Sequence, residues 1–235
     1  MILPDNITLI LFFTFGSIIG SFLNVVIWRI PRQESIVSPP SHCPSCNNNI
    51  APYDNIPLIS WLILRGKCRH CDVKISSRYF FVELITGLLT LLMVLKFGLS
   101  SELIIKLILV YMLISIAYID YDHYIIPNEF ILMGFILLIP SHFFGWLPIE
   151  MLDGVYGALT FSGFLYFIGQ VGFLILKKDS MGFGDVKLGL IIGGVFGLKL
   201  SVLALFLSFI ISALFTIIGI SLFKMKVKGE IPFGP

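Results

Sequence analysis

Residues 103–130, LIIKLILVYMLISIAYIDYDHYIIPNEF, decide the fold. Seventeen residues, 103–119, run with one charge, Lys106, and then two aspartates, Asp120 and Asp122, close the run. An apolar stretch of that length is a transmembrane helix, because about 20 helical residues cross a hydrocarbon core of about 30 Å. Similar stretches lie near 7–28, 82–97, 129–147, 154–176 and 200–223, with a shorter, glycine-rich one at 187–198. Over the 235 residues 57% are hydrophobic and 13% charged, and the mean hydropathy is +0.97, outside the balance of a soluble domain. Lipid cannot satisfy open backbone groups, so helices are expected throughout. The fold class is an all-α polytopic membrane protein, a helix bundle of about seven transmembrane segments with a small cytoplasmic insert.

The first span follows Asp5 rather than a basic segment and precedes Arg29 and Arg32, which makes it a retained anchor rather than a cleaved signal. Seven Lys or Arg fall within 29–80, so the positive-inside rule places that segment in the cytoplasm and the N-terminus outside. Turns at 120–128, 177–186 and 224–230 then fall inside, in agreement with Lys177, Lys178, Lys224, Lys226 and Lys228, whereas Lys96 and Lys199 disagree mildly. The net charge of +2 gives no support to a nucleic-acid partner.

All four cysteines lie in that polar insert, as CPSC (43–46) and CRHC (68–71). Two C-x2-C pairs read as paired thiolate knuckles around one tetrahedral zinc, with Cys43, Cys46, Cys68 and Cys71 as ligands. Four thiolates leave no open position, so the metal is structural, and it gives shape to a segment too small to rely on apolar burial. A reducing cytoplasm argues against disulfides.

Ionisable groups at the rim of apolar spans are expensive and invite a functional reading. Asp185, in GFGD (182–185), could cap a helix. Counting on by fours reaches Gly189, Gly193 and Gly197, a face that admits another helix closely, and the helix ending at Asp120 is the expected partner. For Asp120 and Asp122 the plain alternative is a solvated loop. Two aspartates brought together can divide general-base and general-acid roles in peptide hydrolysis.

Taken with GSFLNVVIWRIP (20–31), the double C-x2-C segment and ISSRYFFVELITG (75–87), the blocks IDYDHYIIPN (119–128) and GFGD resemble those of bacterial type IV prepilin peptidases, the G-x-G-D intramembrane aspartyl proteases that are also N-methyltransferases. The resemblance implies Asp120 and Asp185 as catalytic residues, with Asp122 as a rival for the first. It implies prepilin or pseudopilin substrates cut at the cytoplasmic face of the bacterial inner membrane, and methylation of the new N-terminus from S-adenosylmethionine. Family members continue past GEIPFGP (229–235) into one more helix, so this sequence is expected to be short by a span. The domains expected are 1–29, an N-terminal transmembrane helix; 30–80, the zinc-binding segment; and 81–235, the protease core.

No glycine-rich loop marks where S-adenosylmethionine binds. Glu83 is a candidate for the methylation site, against an interfacial pair with Arg78 or Lys74. Gly16, Gly20 and Asn24 read as a helix-packing face. Two other functions remain open at this point: a noncatalytic zinc-bearing assembly protein, and an ion-coupled transporter, which the absence of an internal repeat disfavours.

Overall fold

A computed structural model describes residues 6–177 and 181–223. Asp5, Lys178, Lys224, Lys226, Lys228 and the C-terminal GEIPFGP, all used in the topology argument, lie outside the described residues. Seven α-helices follow in order: α1 (Asn6–Arg29), α2 (Ile59–Ile63), α3 (Ser77–Phe97), α4 (Ser101–His123), α5 (Asn128–Phe143), α6 (Met151–Leu176) and α7 (Phe183–Phe223). No strand forms among the described residues; two isolated β-bridges sit in the segment between α1 and α3. Five helices, α1, α3, α4, α6 and α7, are long and apolar enough to cross a membrane, and α5 is a shorter apolar helix.

Two differences from the sequence reading concern boundaries. The α4 helix does not end at 119 but runs to His123, carrying Asp120 and Asp122 inside its last turn rather than in a loop. The stop is set by Tyr124, which takes a left-handed φ of 56° while its N–H closes onto Asp120 O at 2.8 Å, and Pro127 then caps α5. The expected spans 187–198 and 200–223 form one assigned helix, α7, whose 41 residues would measure about 60 Å if straight, twice a hydrocarbon core. It is broken at Gly197 (φ 71°, ψ 176°), a conformation open only to glycine.

By its internal contacts the chain divides into two compact units, 1–119 and 120–235. In the first, α1 lies against α3 through small residues, as Gly16, Gly20 and Asn24 suggested. A Cβ on Gly16 would clash with Thr90 Oγ1, one on Gly20 would come within 2.7 Å of Glu83 Cα, and one on Gly87 within 2.5 Å of Ser17 Oγ. Thr86 and Thr90, fully buried, donate to the carbonyls one turn back, and the Thr90 hydroxyl meets the Tyr111 hydroxyl of α4 at 2.8 Å.

In the second unit α6 and α7 pack backbone to backbone. A Cβ on Gly193 would clash with Gly157 O, and one on Gly189 would sit 2.9 Å from Phe161. The glycine face headed by Asp185 therefore admits α6, and the expectation that it packs on the helix ending at Asp120 is corrected. The face lies where α6 supplies its own small residues, Gly157 and Ala158, so two backbones can meet. The adjacent face of α7 carries Ile191, 1% exposed, whose side chain fills the space above Gly134 of α5.

The break at Gly197 is satisfied by side chains from α5, α6 and α7 itself. Asp153 Oδ1 accepts from the Leu198 N–H at 3.2 Å, and the freed carbonyls of Gly194 and Gly193 meet His142 Nε2 at 3.0 Å and Ser201 Oγ at 3.4 Å. A lipid environment demands such partners for backbone groups that leave the helix ladder.

Gly193→Ala should thus destabilise the protein by about 1–3 kcal/mol, the usual cost of overpacking. Gly163→Ala, on α6 with nothing within 4 Å of the new methyl, should leave it unchanged or slightly more stable. Thermal unfolding in detergent compares the two; equal midpoints would contradict the backbone contact.

Candidate functional site

Asp120 is buried, 7% exposed, in the last turn of α4, and Asp185 is half-buried in the first turn of α7. Asp185 is the third helical residue rather than the cap, and its N–H reaches Gly182 O at 3.2 Å. Asp120 lies six residues before Ile126 and Asp185 directly after Gly184, the two residues that meet between these helix ends. Asp122, two residues on, is exposed on the other side of the helix turn.

The connection that follows α4 accounts for the proximity. Ile126 packs on the start of α7 where Gly184 has no side chain: a Cβ there would lie 3.0 Å from Ile126 Cβ. One residue beyond the buried Pro127, Asn128 Oδ1 accepts from Lys187 Nζ at 3.0 Å. Gly182 leaves room for the catalytic candidate itself, since a Cβ at that position would stand 3.0 Å from Asp185 Oδ2. Both glycines of GFGD thus serve close approach; neither takes the left-handed φ that an obligatory glycine turn would show. Sequence reasoning missed Ile126 and the Asn128–Lys187 bond, and their one available signal was the isoleucine pair before Pro127.

The four sulfurs of Cys43, Cys46, Cys68 and Cys71 all lie within 4.8 Å of one another, a set that could hold a metal ion. The local chain is the same structure built twice. Cys43 N–H donates to Asn48 O and Cys68 N–H to Val73 O, both at 2.9 Å. Asn47 and Asp72, each four residues past the first cysteine of its pair, donate back to Cys43 O and Cys68 O from left-handed φ of 56° and 55°. The flanking residues pair as bridges, His42 with Asn49 and Lys67 with Lys74. Asparagine and aspartate tolerate that φ better than most residues, so the sequence supports each tight turn.

Each turn aims backbone N–H groups at sulfur. Those of Cys46 and Ser45 lower the Cys43 thiol to about 6, against a smaller rise from burial. At Cys71 the Val73 N–H acts downward, but burial and the thiols of Cys46, Cys68 and Cys43 outweigh it and push the group up to about 12. Such crowding of sulfurs is what a bound cation relieves. A bidentate bond from Arg69, 2.6 and 2.7 Å, ties Asp54 to the second turn and holds its carboxyl below the usual range. A depressed carboxyl stabilises above its unfolded-state value, so this tie is present at neutral pH and lost in acid.

Glu83 is buried in α3, and its Oε2 accepts from the Leu58 N–H at 2.7 Å. The sequence reading offered Arg78 or Lys74 as its partner; the partner seen here is a backbone N–H. Asn24 Nδ2 donates to Tyr79 O at 3.1 Å, and buried Arg29 donates to the carbonyls of Ser35 and Pro39.

Residues 14–97 match the family model of the bacterial peptidase A24 N-terminal domain, and residues 107–217 that of the type IV leader peptidase family. The prepilin leader peptidase/N-methyltransferase of Myxococcus xanthus is 43% identical over 186 residues, which are 77% of this chain and 54% of that protein. The enzyme of the same name from Stutzerimonas stutzeri is 33% identical over 243 residues, 94% of this chain and 84% of the relative. A type 4 prepilin-like proteins leader peptide-processing enzyme of Escherichia coli O78:H11 is 39% identical, over 77% of this chain and 74% of its own length. No solved structure matches the chain. Both family models and a relative aligned along nearly the whole chain agree with the double-cysteine segment and the GFGD helix start, and the chain belongs to the type IV leader peptidase family.

Proposed function

We propose that the chain is a prepilin leader peptidase and N-methyltransferase of the bacterial inner membrane, with Asp120 and Asp185 as its catalytic pair. The observation that carries the reading is that Asp120 is buried at the end of α4 and that the connection after it packs, through Ile126, on Gly184 beside Asp185. Asp122 is exposed whereas Asp120 is buried, which favours Asp120 in the first role.

Two neighbouring carboxylates in a poorly hydrated site share one proton, because both cannot carry charge cheaply. The ionised member takes a proton from water while the water oxygen bonds to the scissile carbonyl carbon. The protonated member gives its proton to the departing nitrogen; the C–N bond breaks, leaving a new carboxyl on the leader and a new amine on the pilin. Each aspartate ends in the other's initial state, so a proton exchange restores the site, and no covalent enzyme intermediate forms.

Prepilins or pseudopilins are the proposed substrates, and S-adenosylmethionine the donor of the methyl group placed on the new amine. The functional division we propose is 1–29 as anchor, 30–80 as metal-binding segment and 81–235 as protease core. The basic residues of 29–80 support a cytoplasmic position for the metal-binding segment and for cleavage. The resident metal is zinc, held by Cys43, Cys46, Cys68 and Cys71. A tetrahedral ion with Zn–S bonds of about 2.3 Å separates its sulfurs by about 3.8 Å, and Cys43 and Cys71 stand 3.8 Å apart. Four thiolates fill such an ion's coordination, so its contribution is to fix the segment's shape.

Asp120→Asn and Asp185→Asn should each cut prepilin cleavage by purified protein at least about 10²–10⁴-fold, the range that general acid–base groups supply. Asp122→Asn should stay within a few-fold of the parent. Cleavage at the parental rate by either of the first two would refute the assignment, and a dead Asp122 variant beside a live Asp120 variant would transfer the role.

Purified protein should carry about one equivalent of zinc by elemental analysis. Chelation or Cys43→Ser should open the 43–71 segment to protease while the spans remain intact. Protein that carries no metal after zinc-replete expression, yet keeps this segment protected, would contradict the closed site.

A further inference from the structure

We propose that the short helix α2 is embedded in the lipid of the bilayer interface, so that the four-cysteine segment is seated on the membrane rather than suspended above it. Its depth follows from two contacts with α3. Leu58, immediately before α2, donates its N–H to Glu83, the seventh residue of α3. At 1.5 Å per residue that bond lies about 9 Å inside the start of α3. The 21 residues of α3 measure about 31 Å, close to the thickness of a hydrocarbon core, so α3 has little length to spare outside the membrane. Further along α2, the Trp61 ring stands 5.3 Å from that of Phe80, which is one turn nearer the surface. The segment thus dips to the level of Glu83 and climbs back past Phe80 towards the second cysteine pair.

What α2 presents at that depth is apolar. Ile59, Leu62 and Ile63 are 54%, 58% and 70% exposed, and Phe81 of α3, whose ring meets that of Phe80, is 50% exposed. The turn that lowers α2 is not one a leucine adopts by preference: Leu58 holds φ at 63°, fixed by its bond to Glu83. Charge changes sharply at the exit. Arg65 and Lys67 follow α2 directly, no acidic residue occurs between Asn55 and Cys71, and the nearest one before them, Asp54, is taken by Arg69. Apolar side chains followed by basic ones are the composition of segments that lie in an interface with anionic headgroups. Glu83 thereby has a role in this seating whether or not it takes part in methyl transfer.

The test replaces Ile63, and separately Leu62, with the photoreactive p-benzoylphenylalanine in the full chain, reconstituted in vesicles of phosphatidylethanolamine and phosphatidylglycerol. Irradiation should add the mass of one phospholipid at both positions, and none at Asp72, an exposed position in the second cysteine turn. Zinc content equal to the parent's verifies folding. Lipid adducts no more frequent than at Asp72 would overturn the proposal. So would cross-linking chiefly to a second copy, or, in an arm with added prepilin, replacement of the lipid adduct by a prepilin adduct, since those outcomes make the surface a protein-docking site.

Discussion

The proposed chemistry depends on one contact, Ile126 against Gly184. Two carboxylates at a membrane rim repel each other and favour separate exposure to water, so their proximity has to be imposed by packing. The connection after α4 imposes it: the helix stops at Tyr124, Pro127 is buried, and Ile126 occupies the space that a side chain at 184 would fill. Asn128 and Lys187 add a polar tie on the far side of the proline. In the first turn of α7 Gly182 leaves its own gap beside the Asp185 carboxylate. The G-x-G-D pattern reads in these terms as two clearances and one acid.

Glycine performs a different task further along the same helix. Gly189 and Gly193 fit α7 to α6 with almost no space between backbones, and Gly197 ends the regular ladder. Interfaces of this kind suit lipid, where apolar side chains gain little by leaving one hydrocarbon for another and close van der Waals contact does the work. The polar groups exposed by the break are met by His142, Asp153 and Ser201, none of which approaches Asp185 in sequence. α7 thus carries Asp185 at one end and a locked discontinuity fourteen residues into its length.

Much of this was legible in the sequence. The apolar runs gave the helices, because lipid leaves the backbone few other options, and the two C-x2-C pairs marked the cluster of four sulfurs that could hold a metal ion, because equal spacing makes equal turns. The partner of the Asp185 glycine face was not legible. Periodicity shows that a face is small without showing which helix also offers small residues, and Gly157 and Ala158 of α6 meet that need better than the bulky end of α4. The break at Gly197 was read as a turn between two spans, since hydropathy registers an interruption but not the side chains that repair it. Nor could spacing show that Glu83 faces a backbone N–H from a loop 25 residues earlier.

The central claim is that the Ile126–Gly184 contact sets the separation of the aspartates. Its most direct test is prepilin cleavage by purified Gly184→Val, with folding verified by zinc content and thermal midpoint. A branched side chain at 184 must displace Ile126 and the end of α4 without touching either acid, and about 1 Å of misplacement already costs about a hundredfold in rate. The account predicts a loss of that order in a folded protein. Cleavage at the parental rate would contradict it.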